Sequence, residues 1–300
     1  MNLRQLQYFI AIAETGSFRA GAQRVRVAPP SLSQQIRLLE QEVGGPLFER
    51  LPRGARLTPA GRALLPEAQA AVLAAQRGTR AARGALGLEA AEVEIATVLS
   101  LAVGLLPDAI QRLCEAHPGI AVRLHEFAHR ELLQAAIDGG VGDIAIGPTP
   151  EAWRGPAVSL GHEEFVVIVG RRHAAFATEG PVRVEALARD PWVLYPDAHG
   201  LLDLVRAICA VAGFEPRDAV RTGQVEAVVR LAAAGLGVAI VPANTVPPHL
   251  AAYVRRLDPP VFRELVAYTR VDWSPQAGAL VEALRAPGWP PPPAGAFVIP

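Results

Sequence analysis

Between Leu3 and Leu57 apolar residues recur at helical spacing in three short runs and then give way to an arginine-bearing hairpin, a pattern that few folds other than a small winged helical head can accommodate. Leu3, Leu6, Phe9, Ile10 and Ala13 share one face of a first helix over 3–13. Ser17 is a natural N-cap for a second helix from Phe18 to about Val25, whose small Ala20, Gly21 and Ala22 let a neighbour approach closely. Pro30 suits the first position of a third helix, where its missing N–H would have had no partner anyway. Leu32, Ile36 and Leu39 then form that helix's buried stripe. Two helices joined by a tight turn, about 18–37, make a DNA-reading unit.

The stripe leaves Ser31, Ser33, Gln34 and Arg37 on the open face of the third helix, with hydroxyls, an amide and a guanidinium able to bond phosphates and base edges in a major groove. Such residues also form ordinary solvated faces. The segment from Gly44 to Thr58 favours DNA, because it reads as a short hairpin that presents Arg53 and Arg56 to backbone phosphates. Charge agrees: residues 1–84 hold 12 Arg against 5 Glu, whereas residues 85–300 hold 17 Arg against 24 acids. Only the head suits a polyanion. All 29 basic residues are Arg, in keeping with a GC-rich coding bias, so their position is more informative than their number.

Thr58 and Pro59 open a long helix that runs to about Arg83. Its apolar positions, Leu64, Leu65, Ala68, Val72, Leu73 and Ala75, exceed what a lone helix should expose, and the expectation is a dimer built through it. Pro66 is placed to kink or split the rod. From residue 92 strands alternate with helices: Val93–Thr97, a helix from about Leu101 to Ala116, Ala121–Glu126, a helix at Glu131–Asp138, then Ile144–Ile146. A second unit opens at Glu164–Gly170 and continues through Trp192–Tyr195, helices at 201–212 and 224–234, and Val238–Val241, before Val266–Thr269 returns to the first. Two α/β lobes joined by crossing strands enclose a ligand cleft.

The fold expected is therefore mixed, a winged helix-turn-helix over 1–58, a linker helix and hinge over 59–88, and a two-lobed α/β domain. Lobe I takes 91–162 with 267–286, lobe II takes 163–266, and the Pro-rich tail 287–300 reads as extended. Charged residues interrupt every apolar run before membrane-span length, and the start lacks an export signal, so a cytoplasmic location without membrane contact is expected. Cys114 and Cys209, far apart in apolar helical patterns, read as buried thiols.

Three stretches resemble the LysR-type transcriptional regulators: Leu3–Phe9, Ser17–Glu40 with its Pro-Ser-Leu-Ser-Gln-Gln-Ile-Arg core, and Pro46–Arg50 through Leu57-Thr58-Pro59-Ala60-Gly61. The likeness continues through Leu105-Leu106-Pro107, His117-Pro118-Gly119 and Leu231–Pro242. It implies a periplasmic-binding-protein-like effector domain and a homotetramer assembled from dimers. The same likeness implies promoter DNA, a small-molecule effector and RNA polymerase as partners, with no cofactor. Pro29 stands where the family usually has a DNA-contacting Gln, and Gly21 and Val25 replace a common Ala and Leu. Cys209 matches the second cysteine of the peroxide-sensing branch, but Gly200 replaces the reactive first one, which argues against a disulfide switch. The chain looks most like the branch responding to aromatic-breakdown acids, although Pro148 and His129 replace that branch's basic residue and Thr.

Ser100, just past the first strand at the start of the 101–116 helix, is the leading effector contact, through a carboxylate, and its competing role is a helix cap. Thr149, His199, Gly200, Thr222 and Gln224 fall in loops expected to face the same cleft. An enzyme is the rival class, but no phosphate loop, nucleophile elbow or metal-ligand cluster is present in the sequence. A solute-binding protein would explain the lobes and leave residues 1–84 without a purpose.

Overall fold

The computed structural model describes residues 1–51, 54–85, 92–178 and 180–299. They form two compact units, a head whose main stretch is Met1–Ala91 and a larger unit of Glu92–Ile137 and Gly142–Pro300.

In the head, α1 (Leu3–Thr15) begins with a reciprocal cap in which the Asn2 side chain accepts from Gln5 N at 3.0 Å and the Gln5 side chain accepts from Asn2 N at 2.9 Å. Ser17 caps α2 (Phe18–Arg24) as expected. The pattern puts Pro30 first in the third helix, but α3 spans Pro29–Val43, so both prolines occupy its first turn. Neither N–H would have had a helical partner there. Arg26, in the left-handed region at φ 55°, turns the chain between α2 and α3 while Val27 N donates to Ala22 O at 2.9 Å. Phe9, Ile12, Leu32, Ile36 and Leu39 are almost wholly buried, and Phe48 packs its ring between Phe9 and Phe18 at centroid distances of 5.2 and 5.5 Å.

The wing consists of β1 (Phe48–Leu51) and β2 (Gly54–Leu57), antiparallel, with Glu49 opposite Arg56. Its base is fastened by Glu40, whose carboxylate accepts from Leu47 N at 2.9 Å and Phe48 N at 3.3 Å. The next helix, α4 (Pro59–Ala85), is continuous through Pro66 rather than split. Thr58 Oγ1 donates to Pro46 O at 2.7 Å and accepts from Gly61 N at 3.0 Å, which ties the start of α4 to the base of the wing. A side chain at Gly61 would collide with the Leu47 carbonyl, so this contact needs glycine. Leu64, Leu65, Ala68 and Val72 pack onto the head's own core. That much of the apolar face, predicted to meet a second copy, is thus covered within one chain.

The larger unit runs β3 (Glu92–Val98), α5 (Leu99–Gly104), α6 (Leu106–Ala116), β4 (Ala121–Phe127), α7 (Arg130–Asp138), β5 (Ile144–Pro148), β6 (Ala157–Ile168), α8 (Ala174–Ala177), β7 (Val182–Arg183), β8 (Pro191–Leu194), α9 (Gly200–Val211), β9 (Arg217–Arg221), α10 (Val225–Ala233), β10 (Ala239–Pro242), β11 (Val254–Tyr268), α11 (Pro275–Arg285) and β12 (Phe297–Ile299). β4, β3 and β5 are parallel, as the alternation predicts. β11 then pairs antiparallel with both β5 and β6, and β6 with β10, so two long strands carry one curled sheet across both lobes. Each lobe has its own core. One gathers Val93, Ile95, Leu101, Ile144, Tyr268 and Leu280, and the other gathers Phe165, Val167, Trp192, Leu202, Val228 and Val241.

Four expectations change. The helix predicted over 101–116 is two helices broken at Leu105, since Pro107 in the first turn of α6 has no N–H for the preceding turn. Cys114, predicted as buried, is exposed on α6. β11 is far longer than Val266–Thr269, because its charged middle hides the strand pattern. The tail, expected as extended throughout, ends in a paired strand, β12, parallel to β11. No described helix is long and apolar enough to cross a membrane, and no described acidic, His or Cys cluster has the makings of a metal site.

Candidate functional site

In the head, Ser31, Gln34 and Arg37 lie exposed along α3 with Ser33 half-buried among them. Arg37 Nε donates to Ser33 O at 3.4 Å, which leaves most of its guanidinium for an external acceptor. On the wing, Arg56 is bound to Glu49 through Nε and Nη2 at 3.1 and 2.6 Å. Both side chains are solvent-exposed, so a pair worth about 0–1 kcal/mol yields readily to a phosphate. Arg53 lies outside the described residues.

Between the lobes a cavity of about 260 Å³ is lined by Val98, Ser100, Pro148, Leu204, Ala207 and Ile299, with His129, Arg130 and Glu131 on one side and His199, Gly200 and Asp203 on the other. Arg263 of β11 completes the wall. Ser100, His199 and Gly200 therefore come together as predicted. Three other residues do not line the cavity. Thr149 turns its hydroxyl to Glu264 at 3.1 Å, which Ser159 also engages. Thr222 and Gln224 sit in the turn before α10, where the Thr222 hydroxyl accepts from Gln224 N at 3.4 Å. The Thr149 and Thr222 hydroxyls are thus engaged locally, and Gln224 is exposed outside the cavity wall.

Ser100 lies inside α5, whose N-cap is Val98, so its hydroxyl does not cap that helix. It is 1% exposed, in the wall of the cavity. On the opposite side His199 caps α9 through Nδ1, which accepts from Leu201 N at 3.2 Å. A neutral imidazole accepting through Nδ1 carries its proton on Nε2. That Nε2–H is buried and has no acceptor among the described residues. The Tyr195 ring lies against the imidazole, tilted by 31° with centroids 4.5 Å apart, and its own hydroxyl is likewise unpartnered, held protonated by burial. Burial, then the charges of His129 and Arg263, press the His199 pKa down to about 4.

The neutral state of His199 has a consequence for stability. Its folded pKa of about 4 lies below the ordinary 6.5, so between those values the unfolded chain binds the proton that the folded chain refuses. Stability contributed by His199 is complete above pH 6.5 and falls as the pH drops towards 4, by up to about 3 kcal/mol. His199→Asn, which keeps a capping acceptor, should flatten this part of the profile. Urea midpoints of both proteins at pH 7 and pH 4.5 check it, and equal acid losses would refute it.

Arg263 was not singled out from sequence because it stands in a charged stretch without periodicity. It forms a buried ion pair with Glu163 opposite it on β6, through Nε at 2.6 Å and through Nη2. Glu163 also accepts from Asn244 Nδ2 at 3.2 Å, and the guanidinium lies 5.4 Å above the Phe165 ring. Arg130 is paired with Glu131 and Glu151. Both cations in the wall are thus already matched. The lobes also touch across the cleft, where Gly200 N donates to Ala128 O at 2.9 Å. Burial raises the Cys209 thiol to about 12, so it remains protonated and unreactive.

Comparison with known proteins agrees with both parts of this architecture. Residues 3–62 match the bacterial regulatory helix-turn-helix protein, lysR family, and residues 86–287 match the LysR substrate binding domain. The chain belongs to the LysR family of transcriptional regulators. It is 32% identical to the transcriptional regulator IlvR of Caulobacter vibrioides across 96% of this chain and 99% of that one. It is also 32% identical to ClcR of Pseudomonas putida across 81% and 83%. Among solved structures, a full-length OxyR variant from Pseudomonas aeruginosa shares 25% identity with a TM-score of 0.70, over 95% of each chain. This LysR-family protein is a DNA-binding transcriptional regulator with a domain for a small effector, and not an enzyme.

Proposed function

We propose that the regulator binds promoter DNA through Ser31, Ser33, Gln34 and Arg37 of α3 and through Arg53 and Arg56 of the wing, and that an acid with a compact apolar body controls it from the interlobe cavity. The observation that carries the effector reading is the buried, unpartnered Nε2–H of His199 in a wall shared with Ser100. An orphaned donor in such a place costs about 1–3 kcal/mol until an acceptor arrives. A carboxylate offers acceptors only, and it would be held here by neutral donors, since Arg130 and Arg263 already have carboxylate partners. Val98, Pro148, Leu204, Ala207 and Ile299 suit an apolar body. Thr149, Thr222 and Gln224 do not line this cavity.

The assembly we infer is a dimer through the remaining apolar face of α4, paired into a tetramer, working in the cytoplasm at promoters where it meets RNA polymerase. The solved complex of CbnR with its target DNA, of similar fold, supports the DNA-bound arrangement. Salt-sensitive band shifts on the DNA upstream of the gene test attachment, and absence of binding at low salt would overturn it.

A thermal-shift screen of small aromatic and aliphatic acids tests the effector. An acid present at 100 times its Kd should stabilise the protein by about 2.7 kcal/mol. Ser100→Arg, which fills the cavity, should abolish that shift. An unchanged shift in the variant would remove Ser100 from the site, and a screen without any shift would count against an acid.

A further inference from the structure

The Pro-rich tail begins in one lobe and ends in the other. Trp289 packs against the first lobe's core, donates Nε1 to Leu284 O at 2.9 Å, and sits on Gly161 of β6, where any side chain would collide with its ring. Pro290–Pro293 follow as an extended spacer whose fixed φ angles make it stiff. A turn closes with Ala296 N donating to Pro293 O at 3.1 Å, and β12 then pairs with Val261–Arg263 of β11. Phe297, 36% exposed, forms one wall of a shallow groove on the second lobe together with Val184, Ile208, Pro259 and Val261. Ile299 packs on that lobe's core and reaches the interlobe cavity.

Position along β11 explains what this segment can do. β5, of the first lobe, occupies the β11 edge at Leu265–Tyr268, and β7, of the second, occupies it at Leu257–Asp258. β12 fills the interval between them, where the strand passes from one lobe to the other. Besides β6 and β11, the tail is therefore a third covalent connection between the lobes. Its two anchors are joined by a spacer with little slack.

We propose that residues 289–299 act as a strap that restrains separation of the lobes and so governs opening of the cleft. Only its consequence for ligand entry rests on the cleft being the effector site. The strap itself is tested without any ligand, so its failure and failure of the effector reading are separable.

The Gly200 amide is the reporter, because its acceptor, Ala128 O, lies on the opposite side of the cleft. Hydrogen exchange is compared between the full chain and a chain ending at Pro293. Exchange at Gly200 should rise by about tenfold or more, while the buried strand amides of Ile95 and Val167 keep their rates. If truncation speeds exchange everywhere, Phe297→Ser in the full chain decides by the same two readouts. Unchanged exchange at Gly200, with any effect confined to Val261–Arg263, would overturn the strap and leave β12 as an edge cover only.

Discussion

Arg263→Met is expected to destabilise the effector-binding unit by about 3–5 kcal/mol, the usual cost of breaking a buried ion pair from one side. The Arg263 side chain is 7% exposed and that of Glu163 1%, so loss of the guanidinium strands a carboxylate that water cannot reach. Asn244 offers Glu163 one further donor, which is too little for an unpaired charge. The attraction to the Phe165 face is lost as well. Replacing both members, Arg263→Met with Glu163→Met, should recover most of the loss, since an apolar pair of similar volume carries no desolvation cost. Urea unfolding followed by tryptophan fluorescence measures both, since all four tryptophans lie in the larger unit and none in the head. A single variant within about 1 kcal/mol of the parent would mean that water enters between β6 and β11 and screens the charge.

Arg37→Ala is expected to cost about 1–3 kcal/mol of base discrimination, or roughly 5- to 150-fold in preference for the correct operator. The side chain is exposed on α3 and keeps only a long 3.4 Å bond to Ser33 O, so little in the free protein competes with a base edge. Arg56→Ala should behave differently. It should weaken all sequences alike and lower the salt slope by about 1, because the proposed role of Arg56 is to meet a phosphate and not a base edge. Glu49 already holds Arg56, and this reduces the affinity lost. Fluorescence anisotropy on an operator and its single-base variants, over a range of salt, separates the two patterns. An Arg37→Ala protein that loses affinity equally for every sequence would assign Arg37 to phosphate.

The head was readable from sequence almost residue by residue because its helices obey local rules. Ser17 and Thr58 cap where caps belong, and Leu32, Ile36 and Leu39 keep strict helical spacing. The interlobe cavity was readable only in part. Ser100 and His199 stand where a strand or loop runs into a helix, and such positions project into clefts whatever the rest of the chain does. Arg263, His129 and Ile299 reach the cavity through long-range pairing of β11 with β6 and β12 and through the approach of the lobes, none of which has a local signal. Thr149 and Thr222 stay off the cavity wall for the complementary reason: each hydroxyl has a neighbour, Glu264 in one case and a backbone amide in the other, that sequence spacing does not reveal. β9 was missed because its five residues, Arg217–Arg221, carry three charges and no alternation.

The fastening at the start of α4 has a mechanical consequence. Thr58 joins the helix to the base of the wing, and Glu40 joins that base to α3. The expected behaviour is that of a crank without an elbow, in which torque applied along α4 should arrive at α3 as a change of pitch. DNA half-sites face the same side of the duplex only at intervals of about 10–10.5 base pairs. A head mounted so stiffly should read helical phase severely, so one added base pair between half-sites would be felt as misalignment even with every contacted base intact.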